Sequence, residues 1–344
     1  MSPDRRIAEE AKARGNALDR LTSARQLGGE RLHVQDATEA MATEQAPIED
    51  WTTLPWRKLE RAVYRLQRRI YQASLRGNVK AVHSLQRLLM KSEAARCLAV
   101  RRVTQDNQGK RTAGVDGIKS VGPKHRPLLV TFLRDTKRIR PRPTRRIWIP
   151  KPGKDEMRPL GIPTMLDRAH QALAKLALEP EREARFEPNS YGFRPGRSVH
   201  DAIGAIFLAI RFHSKFVLDA DIAGRFDSIA HVPLLAKLQT FPAMRRAIKA
   251  WLTAGVLEEG VFAPTTAGTP QGGVISPLLA NIALHGMEEA VMADFMVVGH
   301  RKASVPIPKL VRYADDVRHF TRHGIRLTEM GGPEEHNLQA PSLT

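Results

Sequence analysis

Lys309 to Tyr313 and Val317 to Thr321 are two short β-prone runs separated only by Ala314-Asp315-Asp316. So short a connection lets two strands pair only as an antiparallel hairpin, and it sets adjacent carboxylates at the tip. An earlier run, Phe216 to Ile222, also reads as a strand. Successive side chains alternate faces, so Asp219 and Asp221 share one face, and Leu218, Ala220 and Ile222 the other. Asp-Asp at a turn is by itself ordinary turn chemistry. What changes the reading is order along the chain: a strand bearing Asp221, a Gln271-Gly272-Gly273 turn, then the Tyr313-Ala314-Asp315-Asp316 hairpin.

The rest of the chain divides into four parts. Residues 1–50 are polar and read as a flexible or weakly helical leader. In 51–103, Leu59, Val63, Leu66 and Ile70 form one helical stripe, with Arg57, Lys58, Arg61, Arg65, Arg68 and Arg69 around it. Gly77-Asn78 stops that helix. Val82, Leu85 and Leu89 mark a second, and the two form a basic helical hairpin. Residues 104–323 are the main domain, loop-like as far as Pro127. Arg146 to Ile149 and Arg158 to Ile162 are strands around a Lys151–Lys154 turn. Thr164 caps a helix, with Asp167 as an imperfect capping box, Leu166, Leu173 and Leu176 inside and Pro180 as its limit. Ser198 caps another, whose stripe is Ile203, Ile206 and Ile210. Asp227 with Ser228 reads as the cap of a following helix. Ser276-Pro277 starts a helix with Leu278, Leu279 and Ile282 inside. Residues 324–344 read as a disordered tail.

Charge narrows the partners. Against 36 acidic residues stand 55 lysines and arginines, a formal charge of +19. Besides the first helix, Lys137, Arg138, Arg140, Arg142, Arg145 and Arg146 form a second basic run. Clustered excess of this size points to a polyanion such as nucleic acid. One cysteine, Cys97, excludes an internal disulfide and a cysteine-pair zinc site, and fits a reducing, cytoplasmic setting. The N-terminus carries no signal-peptide pattern, and no apolar run approaches the ~20 residues of a membrane span. The longest, Ala202 to Ile210, reads as a core helix.

Joining nucleotides requires in-line attack of a hydroxyl on phosphorus, which two magnesium ions held ~3.5–4 Å apart can assist. Magnesium prefers oxygen ligands, chiefly carboxylates with phosphates and water. Asp221 on one strand and Asp315-Asp316 at a hairpin are such a set.

Seven blocks then occur in a recognisable order. Thr112-Ala-Gly-Val-Asp-Gly117 resembles the block preceding the fingers of group II intron reverse transcriptase/maturases. Arg146-Ile-Trp-Ile-Pro-Lys151, Arg158-Pro-Leu-Gly-Ile-Pro163 and Ser190-Tyr-Gly-Phe-Arg-Pro-Gly-Arg-Ser198 resemble the fingers motifs. Phe216–Ile222, Gly268–Asn281 and Val311–Asp316 resemble successive palm motifs. The resemblance implies an α+β fold of right-hand polymerase fingers on an incomplete palm, an antiparallel sheet with packed helices. It implies RNA-templated DNA synthesis with two Mg2+ ions. Asp221, Asp315 and Asp316 would be the catalytic, metal-binding carboxylates, with the Ile222 backbone carbonyl beside them. Lys151 and Arg158 would hold the triphosphate. Phe226 would sit beneath the incoming sugar and select deoxynucleotides, Gln271 would touch nucleotide or primer-template, and Tyr313 would support the primer end. Partners would be template RNA, intron RNA, a DNA primer and deoxynucleoside triphosphates, with no membrane. Oligomeric state is not legible.

Three departures accompany the resemblance. Ala223 replaces a usual lysine and Arg225 a usual small residue, beside the expected nucleotide pocket. Arg318 interrupts a normally apolar strand, where an unpaired buried charge would be costly. The chain also ends soon after the hairpin, so the thumb is expected to be missing and the chain to be a truncated copy. The expectation is therefore a reverse transcriptase impaired by truncation, with a catalytically inactive RNA-binding remnant of an intron maturase as the alternative.

Overall fold

In a computed structural model, the described residues are 50–107, 112–134, 140–151, 153, 155–212, 215–222, 224–291 and 309–321. The leader as far as residue 49, the tail from 324, Lys137, Arg138, Ala223 and the Arg225 side chain lie outside them. The fold is α+β: helices packed against two separate β-sheets.

The basic segment holds three helices where the sequence suggested two: α1 (Trp56–Leu75), α2 (Val79–Lys91) and α3 (Glu93–Arg101). Val63 and Ile70 are buried on α1, while its six basic residues stay exposed. Asn78 caps α2 by accepting from the Ala81 N–H at 3.0 Å. The stretch expected to be loop, 104–127, overlaps the end of a π-helical turn, Arg102–Asp106, and the start of a short helix, α4 (Arg126–Phe132). Both lack the length that makes apolar periodicity visible.

The hairpin of β1 (Thr144–Pro150) and β2 (Met157–Ile162) leads into the central helix α5 (Met165–Glu183). The Thr164 cap is as expected: its Oγ1 accepts from the Asp167 N–H at 3.1 Å and donates to Asp167 Oδ2 at 2.6 Å. Two expectations fail. Leu166 is 37 % exposed, because the buried face is set by Ala169, Ala172, Leu173, Ala177 and Leu178. Nor does Pro180 end the helix, which runs to Glu183. Proline cannot donate to the carbonyl four residues back, that of Leu176. Gln67 of α1 replaces that donor, its Nε2 lying 3.0 Å from the Leu176 oxygen. One turn on, Gln86 Nε2 donates to buried Glu181 Oε2 at 2.7 Å, fixing α2 to the same helix.

Next come α6 (Val199–Ile210), β3 (Phe216–Asp221) and α7 (Arg225–Ser228). They are followed by α8 (His231–Lys237), α9 (Pro242–Leu252), β4 (Val256–Glu258) and β5 (Val261–Ala263). The chain closes with α10 (Ser276–Leu284), β6 (Lys309–Tyr313) and β7 (Asp316–Thr321). One sheet has the order β2-β1-β4-β5, the other β3-β7-β6. The β4–β5 hairpin turns on Glu259 and Gly260, both at positive φ (48° and 88°), and its three-residue strands are too short to read from sequence.

Helix α6 carries the full Ser198/Asp201 capping box, but of its expected stripe only Ile206 packs inward, partly buried. Ala202, Ala205 and Ala209 are buried against Val311 and Phe320. Ile203 and Ile210 are 57 % and 44 % exposed. Small residues let this helix lie close on the second sheet, so Ile203 and Ile210 point outward while Ile206 stays partly buried. It is therefore a core helix on one narrow face only, with Ile203, Phe207, Leu208 and Ile210 exposed.

Burial pushes the Asp167 carboxyl up to about 6, against its Thr164 and Arg142 hydrogen bonds, which favour the anion. A carboxyl raised on folding binds its proton more tightly in the native state. Its contribution therefore weakens stability as pH rises from 3.8 to about 6. Asp167→Asn should remove this dependence and be stabilising at pH 7 by roughly 2–3 kcal/mol. Urea unfolding of both proteins across pH 4–8 measures the difference.

Candidate active site

The second sheet sets the site by register. Asp221 of β3 faces Asp316 of β7, which in turn faces Tyr313 of β6. Opposed residues of antiparallel strands project to one face, so Asp221, Asp316 and Tyr313 form a row. The hairpin loop is tighter than expected: Asp316 is already the first residue of β7, leaving Ala314 and Asp315 as a two-residue turn. Ala314 has φ 59°, the positive value such turns need at their first central position. The Ile222 N–H donates to the Asp315 carbonyl at 3.2 Å. That bond docks the turn on the end of β3 and brings Asp315 beside Asp221 in the chain path.

A buried arginine fixes the hairpin to its surroundings. Arg312, 2 % exposed, donates from Nη1 to Asn281 Oδ1 at 3.1 Å and from Nη2 to Ser190 Oγ at 2.8 Å. Asn281 of α10 then donates from Nδ2 to the Gly192 carbonyl at 2.9 Å. Backbone bonds follow the same path, from Tyr191 N–H to the Arg312 carbonyl at 2.8 Å and from Arg312 N–H to the Asn189 carbonyl at 2.9 Å. Residues 189–191 thus extend the sheet beside β6. Gly192 then passes so close to the turn that a Cβ there would overlap the Ala314 backbone. Arg312, Asn281, Ser190 and Gly192 all stand in recognisable motifs, but sequence reasoning gave none of them a role. A buried arginine inside a strand leaves no pattern distinct from a surface one.

The Pro270–Gly273 loop lies between β2 and the short helix α7 that follows β3. Gly272 has no room for a Cβ against the Gly161 carbonyl of β2. Val274 N–H donates to the buried Gln171 side chain of α5 at 2.9 Å. On the other side, Gly268 (φ +83°) meets the Phe226 and Asp227 carbonyls, which a Cβ would approach to 2.8 Å. The Thr269 N–H donates to the Phe226 carbonyl at 2.6 Å. Gln271 donates from Nε2 to Asp227 Oδ2 at 3.2 Å. Asp227 is therefore not the cap expected from sequence, since the residue before α8 is Ala230, with no side-chain cap. Ser276 is likewise the first residue of α10 rather than its cap, and its Oγ accepts from Thr269 Oγ1 at 2.8 Å. Phe226 packs edge-on against Phe193, ring centroids 6.2 Å apart. Tyr313 packs against the buried cluster formed by Tyr191, the α6 alanines, Val311 and Phe320.

Lys151 and Arg158 lie on the β1–β2 hairpin. The Lys151 ammonium is paired with Glu156, and Arg158 is exposed opposite Ile149. Arg318 is not buried: it is 45 % exposed and forms a bidentate pair with Asp219, at 3.1 and 3.2 Å. That bond, and the charges of Asp219 and Asp316, hold its guanidinium above its ordinary range. The expected cost of an unpaired buried charge does not arise.

As donors for a metal, Asp221, Asp315 and Asp316 offer the carboxylate oxygens that magnesium-type ions prefer. Among the described residues no three acidic, histidine or cysteine side chains converge as a finished metal cage. Asp221 and Asp316 are cross-strand neighbours at one end of the sheet, and Asp315 stands at the adjoining turn. No described helix is long and apolar enough to cross a membrane.

Comparison with known proteins matches residues 149–329 to the family described as reverse transcriptase (RNA-dependent DNA polymerase). Residues 51–133 match the N-terminal domain of reverse transcriptase. Protein YkfC of Escherichia coli is 38 % identical over 178 residues, 47 % of this chain and 45 % of that protein. Group II intron-encoded protein LtrA of Lactococcus lactis is 38 % identical over 129 residues, 36 % of this chain and 21 % of the relative. Maturase-like protein 1 of Euglena gracilis is 32 % identical over 188 residues, 53 % and 41 % respectively. The matched stretches cover less than half the length of each of these three.

Arg312→Leu should destabilise the protein by roughly 3 kcal/mol or more, since hydrogen bonds to a charged group contribute roughly 1.5–3 kcal/mol each. Denaturant unfolding measures it, and an unchanged midpoint would show that Arg312 does not anchor the hairpin.

Proposed function

The chain belongs to the reverse transcriptase (RNA-dependent DNA polymerase) family, and we propose that it adds deoxynucleotides to a primer 3′-hydroxyl on an RNA template, as a group II intron-type enzyme. The observation that carries this reading is the register that sets Asp221 opposite Asp316, with Asp315 at the adjoining turn. In the reaction, the primer oxygen forms a bond to the α-phosphorus of the incoming nucleotide, the bridging P–O bond breaks, and pyrophosphate leaves.

Polymerases of this family use divalent metal, and here Asp221, Asp315 and Asp316, with the Ile222 carbonyl, would hold two Mg2+ ions. When bound, such ions neutralise charge at the attacking and leaving oxygens. Lys151 exchanges Glu156 for the triphosphate, and Arg158 on the same hairpin joins it. Phe226, braced by Phe193 and by the Thr269–Phe226 backbone bond, sits beneath the sugar and excludes a 2′-hydroxyl. Gln271, anchored on Asp227, lines the nucleotide or primer-template path, and Tyr313 supports the primer end.

The exposed basic face of α1 supports an RNA partner, read through phosphate charge rather than base sequence. The similarity to an intron-encoded protein and to a maturase-like protein supports intron RNA as that partner. Buried Cys97, whose thiol desolvation pushes up to about 12, fits a reduced cytoplasmic protein.

Primer extension on poly(rA)/oligo(dT) with magnesium tests the reading. Incorporation should occur and fall to background in Asp221→Asn and Asp315→Ala. Phe226→Ala should raise ribonucleotide use relative to deoxynucleotide use by roughly tenfold or more. No incorporation, together with tight and salt-sensitive RNA binding, would favour the non-catalytic RNA-binding alternative.

A further inference from the structure

Asp219 stands two residues before Asp221 on the same face of β3, and its cross-strand neighbour is Arg318, two residues after Asp316 on β7. The pair Asp219–Arg318 is therefore the next row of the sheet after Asp221–Asp316. Arg318 engages both oxygens of Asp219, Nε to Oδ1 at 3.1 Å and Nη2 to Oδ2 at 3.2 Å. Both side chains are solvent-exposed, 45 % and 63 %, so the pair contributes little to stability. Its position suggests a different use. Without Arg318, four carboxylates, those of Asp219, Asp221, Asp315 and Asp316, would gather at one end of one small sheet. Like charges on neighbouring positions repel, and a hard cation accepts any suitably placed carboxylate. A guanidinium that occupies both Asp219 oxygens removes that carboxylate from competition.

We propose that Arg318 is a built-in counter-cation that reserves Asp219, keeps it out of the metal-binding set, and lowers the divalent-ion affinity of Asp221, Asp315 and Asp316. Arg318 is a positioning residue, because it acts through Asp219 and through its field. The inference rests on the proposed role of those three aspartates as metal ligands. Two residues along a strand span ~7 Å, within a Debye length of about 8 Å at physiological ionic strength. The Arg318 charge is thus felt at the neighbouring carboxylates and is weakened by salt.

Mn2+ binding to the full chain, followed by electron paramagnetic resonance at low ionic strength, tests this without turnover. Arg318→Gln should bind Mn2+ about two- to fivefold more tightly. Asp219→Asn, which leaves Arg318 without its carboxylate, should bind more weakly by a similar factor, and the double variant should return near the unmodified value. Arg318→Lys keeps the charge and should stay close to the unmodified protein. Raising KCl should shrink every difference. Unchanged or weaker binding in Arg318→Gln overturns the inference, as does a shift of both single variants in one direction. Tightening in Arg318→Lys equal to that in Arg318→Gln overturns it too, because charge would then not be the cause. If the unmodified chain binds no Mn2+, or Asp315→Ala leaves binding unaltered, the metal-site reading fails and this inference with it. Binding that Asp315→Ala abolishes but Arg318 does not influence sinks the inference alone.

Discussion

The guanidinium of Arg312 is the interaction on which the rest of the site depends. It lies inside a strand, almost without solvent, and is neutral in none of its ordinary states. Burying such a group is tolerable only where its donors find acceptors, and Asn281 and Ser190 accept from its two terminal nitrogens. The consequence is geometric. Meeting those two acceptors fixes β6 against the 189–192 segment and against α10 at once. Gly192 then lies against the Ala314 turn, and that turn presents Asp315 to the end of β3. The carboxylates are positioned by a polar network behind them.

A second constraint ties this palm-like sheet to the β1–β2 hairpin. The Pro270–Gly273 loop lies between Gly161 on one side and the Phe226–Asp227 backbone on the other, with glycines wherever backbones meet. Residues widely separated in sequence, at 160–161, 226–227 and 268–274, therefore share one locality. The proposed roles of Phe226 and Gln271 depend on this packing, since each is braced by a neighbour from another segment.

Much of this was legible in the chain itself, for definite reasons. Alternation along Phe216–Asp221 gave the shared face of Asp219 and Asp221, because a strand has a period of two whatever it packs on. The Thr164 and Ser198 caps were legible because capping is local chemistry. Failures came where tertiary packing decides. Ile203 and Ile210 of α6 point outward because the alanines beside them allow closer approach to the sheet. Helix α5 passes through Pro180 because Gln67, distant in sequence, supplies a donor to the bereft carbonyl. Arg318 looked costly from sequence, but register sets it opposite Asp219 in solvent, where it is paired.

The central claim is that Asp221 and the Asp315–Asp316 turn form one metal site across two strands. Affinity cleavage tests it directly: Fe2+ supplied in place of Mg2+, with ascorbate and peroxide, produces hydroxyl radicals that cut backbone near the bound ion. The account predicts cuts in two stretches, around Asp221 and around Asp315, both suppressed by excess Mg2+ and both lost in Asp315→Ala. Cutting at only one of the two stretches, or at sites elsewhere that Mg2+ does not protect, would contradict it.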